Sequence, residues 1–165
     1  MRDSVESLAK ELLARGWWLA VAESCTGGGL GARITDVAGS SAYFLGGIIA
    51  YDNRVKSGFL GVPDEVFSRA GAVSRAAAEA MAAGCLGRLQ ADLAISITGI
   101  AGPGGGTPEK PVGLVYIAAA TKGGVRSEEN RFRGDRTSVR RQAVDAALRL
   151  ALATVRGEPA GREAP

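Results

Sequence analysis

The chain of 165 residues contains no histidine and only two cysteines. Without histidine, neither a Ser–His–Asp nor a Cys–His catalytic arrangement can form. The usual metal ligands are also scarce, so we expect no metal site and no cofactor. Cys25 and Cys85 lie far apart and suggest neither a disulfide framework nor a metal cluster, which favours a reducing cytoplasm. Acid–base chemistry must therefore come from lysine, tyrosine, aspartate or glutamate.

Aromatic residues make up only 5% of the chain and the formal net charge is +3. This charge is too low, and its basic residues too scattered, for a nucleic-acid-binding face. No run of about 18 apolar residues is present, so we expect no membrane span. The charged start, Met1–Glu6, lacks the layout of a signal peptide. We expect a cytoplasmic protein with one domain over residues 1–156 and a flexible polar tail over 157–165.

Predicted helices and strands alternate along the chain. Apolar spacing and turn residues predict helices over 3–15, 27–37, 53–60, 63–70, 74–89 and from 135 onward, and strands over 17–22, 45–51, 92–98, 112–121 and 125–132. The pattern favours an α/β fold, a three-layer α/β/α sandwich with a mixed, mostly parallel sheet. Ligands of such sheets bind beyond the carboxyl ends of the strands. Four segments fit that rule: 23–29, the residues after Tyr51, 98–111 and 132–136.

The segment 22–29, Ala-Glu-Ser-Cys-Thr-Gly-Gly-Gly, stands between a predicted strand and a predicted helix. Backbone N–H groups at such a helix start bind anions, and glycine lets a ligand approach the backbone. We therefore expect Thr26, Gly27 and Gly28 to contact substrate. Cys25 near a helix start could have a lowered pKa, although a small buried residue is the alternative.

Ser41, Tyr51 and Lys56 form a second candidate group. A hydroxyl nucleophile needs a base, and without histidine a lysine made neutral by its surroundings is suited to that task. The chain has only four lysines against sixteen arginines. The alternative is a solvated lysine on a helix and a tyrosine in the core.

Two further segments carry candidate binding residues. The glycines after Thr98, among them Gly99 and Gly102, predict either a loop that wraps a ligand or a mobile surface loop. Their spacing matches neither a P-loop nor a dinucleotide-binding fingerprint. Arginines between 131 and 141, notably Arg133 and Arg140, suit phosphate or carboxylate recognition, although a solvated, ion-paired face is the alternative.

Taken together, the segments resemble a known family. They read AESCTGG, DVAGSSAYF, GGIIAYDNRVK, LGV, GAVS, TGIAGPGGGTPEKPVG and FRGDR…VRRQA, in family order over about residues 5–155. This is similar to the C-terminal domain of the CinA family, the competence/damage-inducible protein, also found as a stand-alone nicotinamide-nucleotide amidase. The resemblance implies a mixed five-stranded sheet, a homodimer, and metal-free deamidation of nicotinamide mononucleotide to nicotinic acid mononucleotide and ammonia.

The resemblance also implies roles for individual residues. The catalytic positions of the family fall on Ser41, Tyr51 and Lys56, and Ser24, Thr98 and Arg140 match supporting or binding positions. Between Tyr51 and Lys56 the family usually has Ser/Thr-Asn-Glu-Ala, whereas this chain has Asp-Asn-Arg-Val.

The hypothesis is an acyl-enzyme amidase in which Ser41 attacks and Lys56 accepts the proton, with Ser24 as the alternative nucleophile. The phosphate would bind either N–H groups of 26–29 or the 99–106 loop, together with an arginine from 133–141. A nucleotide-binding domain without turnover and a competence or DNA-damage accessory protein are the alternative functions.

Overall fold

The computed structural model describes residues 2–158. This part of the chain forms six α-helices and five β-strands, with a 3-10 turn at Ser40–Ala42. The elements are α1 (Arg2–Arg15), β1 (Leu19–Glu23), α2 (Gly29–Thr35), β2 (Phe44–Ile49), α3 (Asn53–Leu60), α4 (Asp64–Ala70), α5 (Arg75–Leu89), β3 (Leu93–Gly99), β4 (Leu114–Thr121), β5 (Gly124–Arg131) and α6 (Arg136–Arg156). Most of the predicted tail, residues 159–165, lies outside the described residues.

The five strands form one mixed sheet in the order β2-β1-β3-β4-β5. β1 is parallel to both β2 and β3, whereas β4 runs antiparallel to β3 and to β5. Four strands therefore share a direction, and their carboxyl ends meet at one side of the sheet, which we call the carboxyl edge. The predicted mixed, mostly parallel sheet is confirmed.

Helices cover both faces of the sheet, giving three layers. One core cluster joins α1, α2 and α6 to the sheet, and a second joins α3, α4 and α5 to the other face. All five residues of β1 are buried, as expected for a strand covered on both faces. On the second face α5 lies very close to the end of α3: a Cβ at Gly84 would lie 1.8 Å from the carbonyl oxygen of Leu60.

Side-chain caps explain where several helices begin. Ser74 Oγ accepts a hydrogen bond from Ala77 N, and a carboxylate oxygen of Asp135 accepts one from Ser138 N. Serine and aspartate are preferred at this position, which predicts Ser74 and Asp135 as the caps of these two helices. Helix α2 begins two residues later than predicted because Gly27 and Gly28 have φ values of 58° and 94°, outside the helical region.

Apolar spacing predicts that Val5, Leu8, Leu12 and Leu13 form the buried face of α1, and the prediction for Leu13 is wrong. Leu13 is exposed, and Ala9 completes the buried face of α1 with Val5, Leu8 and Leu12. None of the helices between residues 2 and 158 is long and apolar enough to cross a membrane.

Candidate active site

The four segments predicted to carry the site all lie at the carboxyl edge. Hydrogen bonds from Ser24 N to Ile97 O and from Ala50 N to Glu23 O align the ends of β1, β2 and β3. Phe132 N donates to Gly113 O, which brings the end of β5 to the start of β4. The segments 23–29, 50–56, 98–111 and 132–140 therefore all lie at this edge.

Lys56 is buried at this edge, with only 2% of its surface exposed. It lies in the first half of α3, and its Nζ donates a hydrogen bond of 3.0 Å to Tyr51 O. Among the described residues this is its one hydrogen bond, so an ammonium group would keep two N–H groups without protein acceptors. Burial lowers the pKa of Lys56, partly opposed by Asp52 and Cys25. Burial therefore makes this amine easier to deprotonate than an exposed lysine.

Of the residues that depart from the family pattern, Asp52 acts on Lys56 through its charge, which opposes the lowering of the Lys56 pKa. Arg54 Nε donates a 2.9 Å hydrogen bond to Asp52, and the Arg54 side chain is 90% exposed. This pairing lowers the pKa of Asp52 to about 2, so Asp52 stays ionised. The guanidinium thus points into solvent and pairs with Asp52, and it has no direct contact with the lysine.

The phenol of Tyr51 is hydrogen-bonded by Arg136, the first residue of α6. One guanidinium nitrogen of Arg136 donates to Tyr51 Oη at 3.1 Å, and another donates to Gly102 O at 2.8 Å. Arg136 therefore ties the phenol to the 99–106 loop. This arginine was among the predicted anion-binding candidates of 131–141, but its contact with Tyr51 was not predicted. Its signal was its position immediately after the Asp135 cap, which places it at the carboxyl edge.

The two candidate serines lie at opposite ends of the sheet. Ser24 follows β1 at the carboxyl edge, the same edge as Lys56, and its hydroxyl has no hydrogen bond to any described residue. Ser41 precedes β2, where Leu19 N bonds to Tyr43 O at the amino edge. The six residues of β2, about 20 Å of strand, separate Ser41 from Tyr51. Within one chain, the structure does not bring Ser41 and Lys56 together.

The backbone N–H groups at the start of α2 are bound by a carboxylate of the same chain. The buried side chain of Glu23 accepts hydrogen bonds from Gly28 N, Leu30 N and Gly31 N at 3.1, 3.0 and 2.8 Å. Gly27 N and Gly29 N bond to backbone carbonyls of the preceding residues. Of the N–H groups of 26–29 predicted to bind a phosphate, those of Gly27, Gly28 and Gly29 are therefore already used within the chain.

Cys25 is a buried thiol. Burial raises its pKa to about 11, so the thiol stays protonated and the alternative of a small core residue is correct. The neighbouring Arg140 and Arg136 only partly offset that effect.

The glycine-rich loop is anchored to the rest of the chain. Lys110 Nζ donates to the carbonyl oxygens of Ala70 and Val73. Thr98 Oγ1 donates to Ala72 O at 2.7 Å, so this predicted binding residue fixes the same segment. A Cβ at Gly99 or Gly102 would clash with the Val115 or Val112 side chain, at 2.6 and 2.5 Å. Gly99 and Gly102 are required by packing within the chain, whereas residues 103–109 of the loop lie exposed on the surface.

A cavity of about 310 Å³ opens between α2 and α6 next to the carboxyl edge. Arg140 donates to Thr26 O at 2.8 Å, and both residues line the cavity. Thr26 Oγ1 and Arg140 Nε are buried without a hydrogen-bond partner among the described residues. Buried polar atoms of this kind usually have a partner, which points to a polar ligand. Three charged residues that line the cavity were not among the predicted site residues: Arg33, Asp36 and Asp145. Arg133 is exposed and does not line the cavity.

Comparison with known proteins identifies the family. The model of the CinA C-terminal domain matches residues 2–155, nearly the whole chain. The chain belongs to the CinA C-terminal domain family. A CinA-like protein of Cyanothece sp. is 57% identical over 131 residues, 79% of this chain and 31% of the relative. A CinA-like protein of Desulfotalea psychrophila is 49% identical over 148 residues, 89% of this chain and 36% of the relative. The chain thus spans about a third of these curated relatives.

Solved structures of the CinA superfamily share the fold. A protein of Klebsiella pneumoniae, 35% identical, superposes with a TM-score of 0.90, covering 94% of this chain and 98% of that chain. The competence/damage-inducible protein CihA of Agrobacterium tumefaciens is 42% identical with a TM-score of 0.85, covering 93% and 96%. The predicted family and α/β sandwich are confirmed.

Proposed function

We propose that this CinA domain is an amidohydrolase that converts nicotinamide mononucleotide to nicotinic acid mononucleotide and ammonia. The observation that carries the proposal is Lys56, a buried amine whose pKa is lowered by burial, beside Tyr51 at the carboxyl edge. A neutral lysine can take the proton of a serine hydroxyl, which is the task of histidine in other hydrolases.

The reaction proceeds in two halves. The oxygen of Ser41, which must come from a second copy because one chain holds Ser41 and Lys56 at opposite edges of the sheet, attacks the carboxamide carbon, and its proton passes to Lys56 Nζ. The C–N bond then breaks and Lys56 returns the proton to the leaving nitrogen, releasing ammonia. Water attacks the acyl-enzyme, again giving a proton to Lys56, and the ester bond to the serine breaks as that proton returns. Tyr51 supports the base through its backbone carbonyl, and its phenol stabilises charge near the reacting carbon.

The α2–α6 cavity is the proposed site of the substrate phosphate. Arg140 and Arg141 supply positive charge, and the unpaired Thr26 hydroxyl and Arg140 Nε supply donors. This choice replaces the helix-start N–H groups, which Glu23 and backbone carbonyls occupy.

Ammonia release from nicotinamide, its riboside and its mononucleotide tests the reaction. We expect turnover of the mononucleotide, at a rate that rises with pH as Lys56 loses its proton. Ser41→Ala and Lys56→Met should lower kcat by about 10²–10⁴-fold. Lys56→Arg should not rescue activity, because arginine stays protonated. Lys122→Met, at an exposed lysine, is the matched control. If Ser41→Ala turns over normally and Ser24→Ala does not, the nucleophile is Ser24.

A nucleotide-binding domain without turnover is the second candidate. The separation of Ser41 from Lys56 within one chain favours it. Calorimetric binding of the mononucleotide without any release of ammonia would support this function and refute the amidase.

A further inference from the structure

The edge of the sheet formed by β2 is apolar and uncharged. Residues 37–51, which include β2 and the turn before it, contain no charged side chain. Among the described residues, eight large hydrophobic side chains are exposed, and half of them lie between 45 and 59. Their exposures are 45% for Leu45, 57% for Ile49, 60% for Tyr51 and 65% for Phe59. An edge of this composition is suited to contact with another chain.

The opposite edge of the same sheet, β5, has a different character. Its sequence is Gly-Val-Arg-Ser-Glu-Glu-Asn-Arg, and Glu129 forms an ion pair with Arg131. Charged side chains on an edge strand prevent unwanted pairing with other chains. The β5 edge carries charged side chains and the β2 edge carries none, so the β2 edge is the one suited to contact with another chain.

A second copy of this chain is the partner that fits. Ser41 stands just before β2, and Tyr51 with the Lys56 amine stands just after it. A two-fold axis perpendicular to β2 near Gly46 and Gly47 would reverse the strand direction in the partner. Residue 41 of one copy would then lie beside residue 52 of the other.

We infer that two copies join antiparallel along their β2 edges, and that each active site combines Lys56 and Tyr51 of one copy with Ser41 of the other. This arrangement rests on the proposed function, because it supplies the serine that one chain cannot bring to its own lysine. The family resemblance implies a homodimer, and the topology assigns its contact surface and its contribution to the site.

The four exposed side chains supply most of the area that such a contact needs. The four side chains expose about 450 Å² per copy, taking about 200 Å² for each fully exposed side chain. The two-fold operation doubles this to about 900 Å² before the backbone and the turn at Ser40–Ala42 are counted. Specific interfaces bury about 1,200–2,000 Å² in total.

Complementation between inactive variants tests the arrangement. Ser41→Ala and Lys56→Met are each expected to be inactive, and we expect activity when the two are mixed and exchange subunits. Random pairing makes half of the dimers mixed, and each mixed dimer has one intact site, giving about a quarter of wild-type activity. Differently tagged subunits verify that mixed dimers form. Mixed dimers without activity, beside an active wild type, would overturn the inference.

Cross-linking tests whether Ser41 of one copy lies near Asn53 of the other, and this test does not depend on catalytic activity. Ser41→Cys and Asn53→Cys, mixed and treated with a short bismaleimide, should give a band at twice 16.9 kDa that neither variant gives alone. The native cysteines are buried and should not react. If wild type releases no ammonia but the band forms, the proposed function fails and the shared arrangement stands. Absence of the band overturns the arrangement.

Matched edge variants locate the contact. Leu45→Glu places two carboxylates near the axis, and we expect a monomer with at least about tenfold lower activity at the same concentration. Val125→Glu makes the same change on the exposed β5 edge and should leave both the dimer and its activity unchanged. A Leu45→Glu dimer with full activity would exclude the β2 edge.

Discussion

Replacing Glu23 with glutamine should destabilise the fold strongly, although the change removes a single charge. Glu23 is buried and its two oxygens accept three backbone hydrogen bonds at the start of α2. Glutamine keeps one oxygen as an acceptor and presents an NH2 group where the other oxygen was. At least one backbone N–H then faces a donor.

The size of this loss follows from the three bonds. A hydrogen bond to a charged group contributes about 1.5–3 kcal/mol, and a neutral bond about 1 kcal/mol. Losing one charged bond and weakening two others costs about 3–5 kcal/mol in total. That is a large part of the 5–15 kcal/mol by which a typical domain is stable.

Urea denaturation at fixed protein concentration measures the effect. We expect Glu23→Gln to lower the free energy of unfolding by about 3–5 kcal/mol and Tm by about 6–20 °C. Glu109→Gln, on an exposed loop, should change stability by less than about 0.5 kcal/mol. A loss below about 1 kcal/mol for Glu23→Gln would refute the claim that this carboxylate fixes the start of α2.

Four further variants test other contacts. Lys56→Met should raise the free energy of unfolding at neutral pH, because burial lowers the pKa of Lys56 and so disfavours its charged form in the folded state. This gain should disappear above the unfolded-state pKa of about 10.4. A gain that increases with pH would contradict the prediction. Lys110→Met should cost about 1–3 kcal/mol in urea because two carbonyls lose their donor, whereas Lys122→Met should cost nothing measurable. Arg136→Lys should lower kcat/KM about tenfold with Tm nearly unchanged, because lysine cannot bridge the loop and the phenol; unchanged kinetics exclude that bridge. Arg54→Ala should leave ammonia release within about twofold of wild type, and a larger drop would place this side chain in the site.

The sequence predicted the layers and the loops of this molecule because those depend on local patterns. Apolar periodicity located every helix and strand, and the side chains of Ser74 and Asp135 are of the types that cap the start of a helix. The carboxyl-edge rule then selected the correct segments around Lys56. Leu13 was misplaced because its spacing fits a helical face as well as that of Ala9.

Contacts between distant segments were not predictable in the same way. The use of Glu23 to close α2 depends on how a strand end and a helix start meet in space, so the glycines after it looked like a free anion site. Arg136 reaches Tyr51 across 85 residues of sequence. The separation of Ser41 from Lys56 follows from strand direction, which the spacing along the chain does not reveal.

The close approach of Gly84 to Leu60 limits which residues can stand at position 84. Because the backbones of two helices almost touch there, even one added methyl group would have to push α3 outward. Lys56 stands one turn before Leu60 on that same short helix. A larger residue at position 84 would therefore shift Lys56, the proposed proton acceptor, although residue 84 itself lies on another helix.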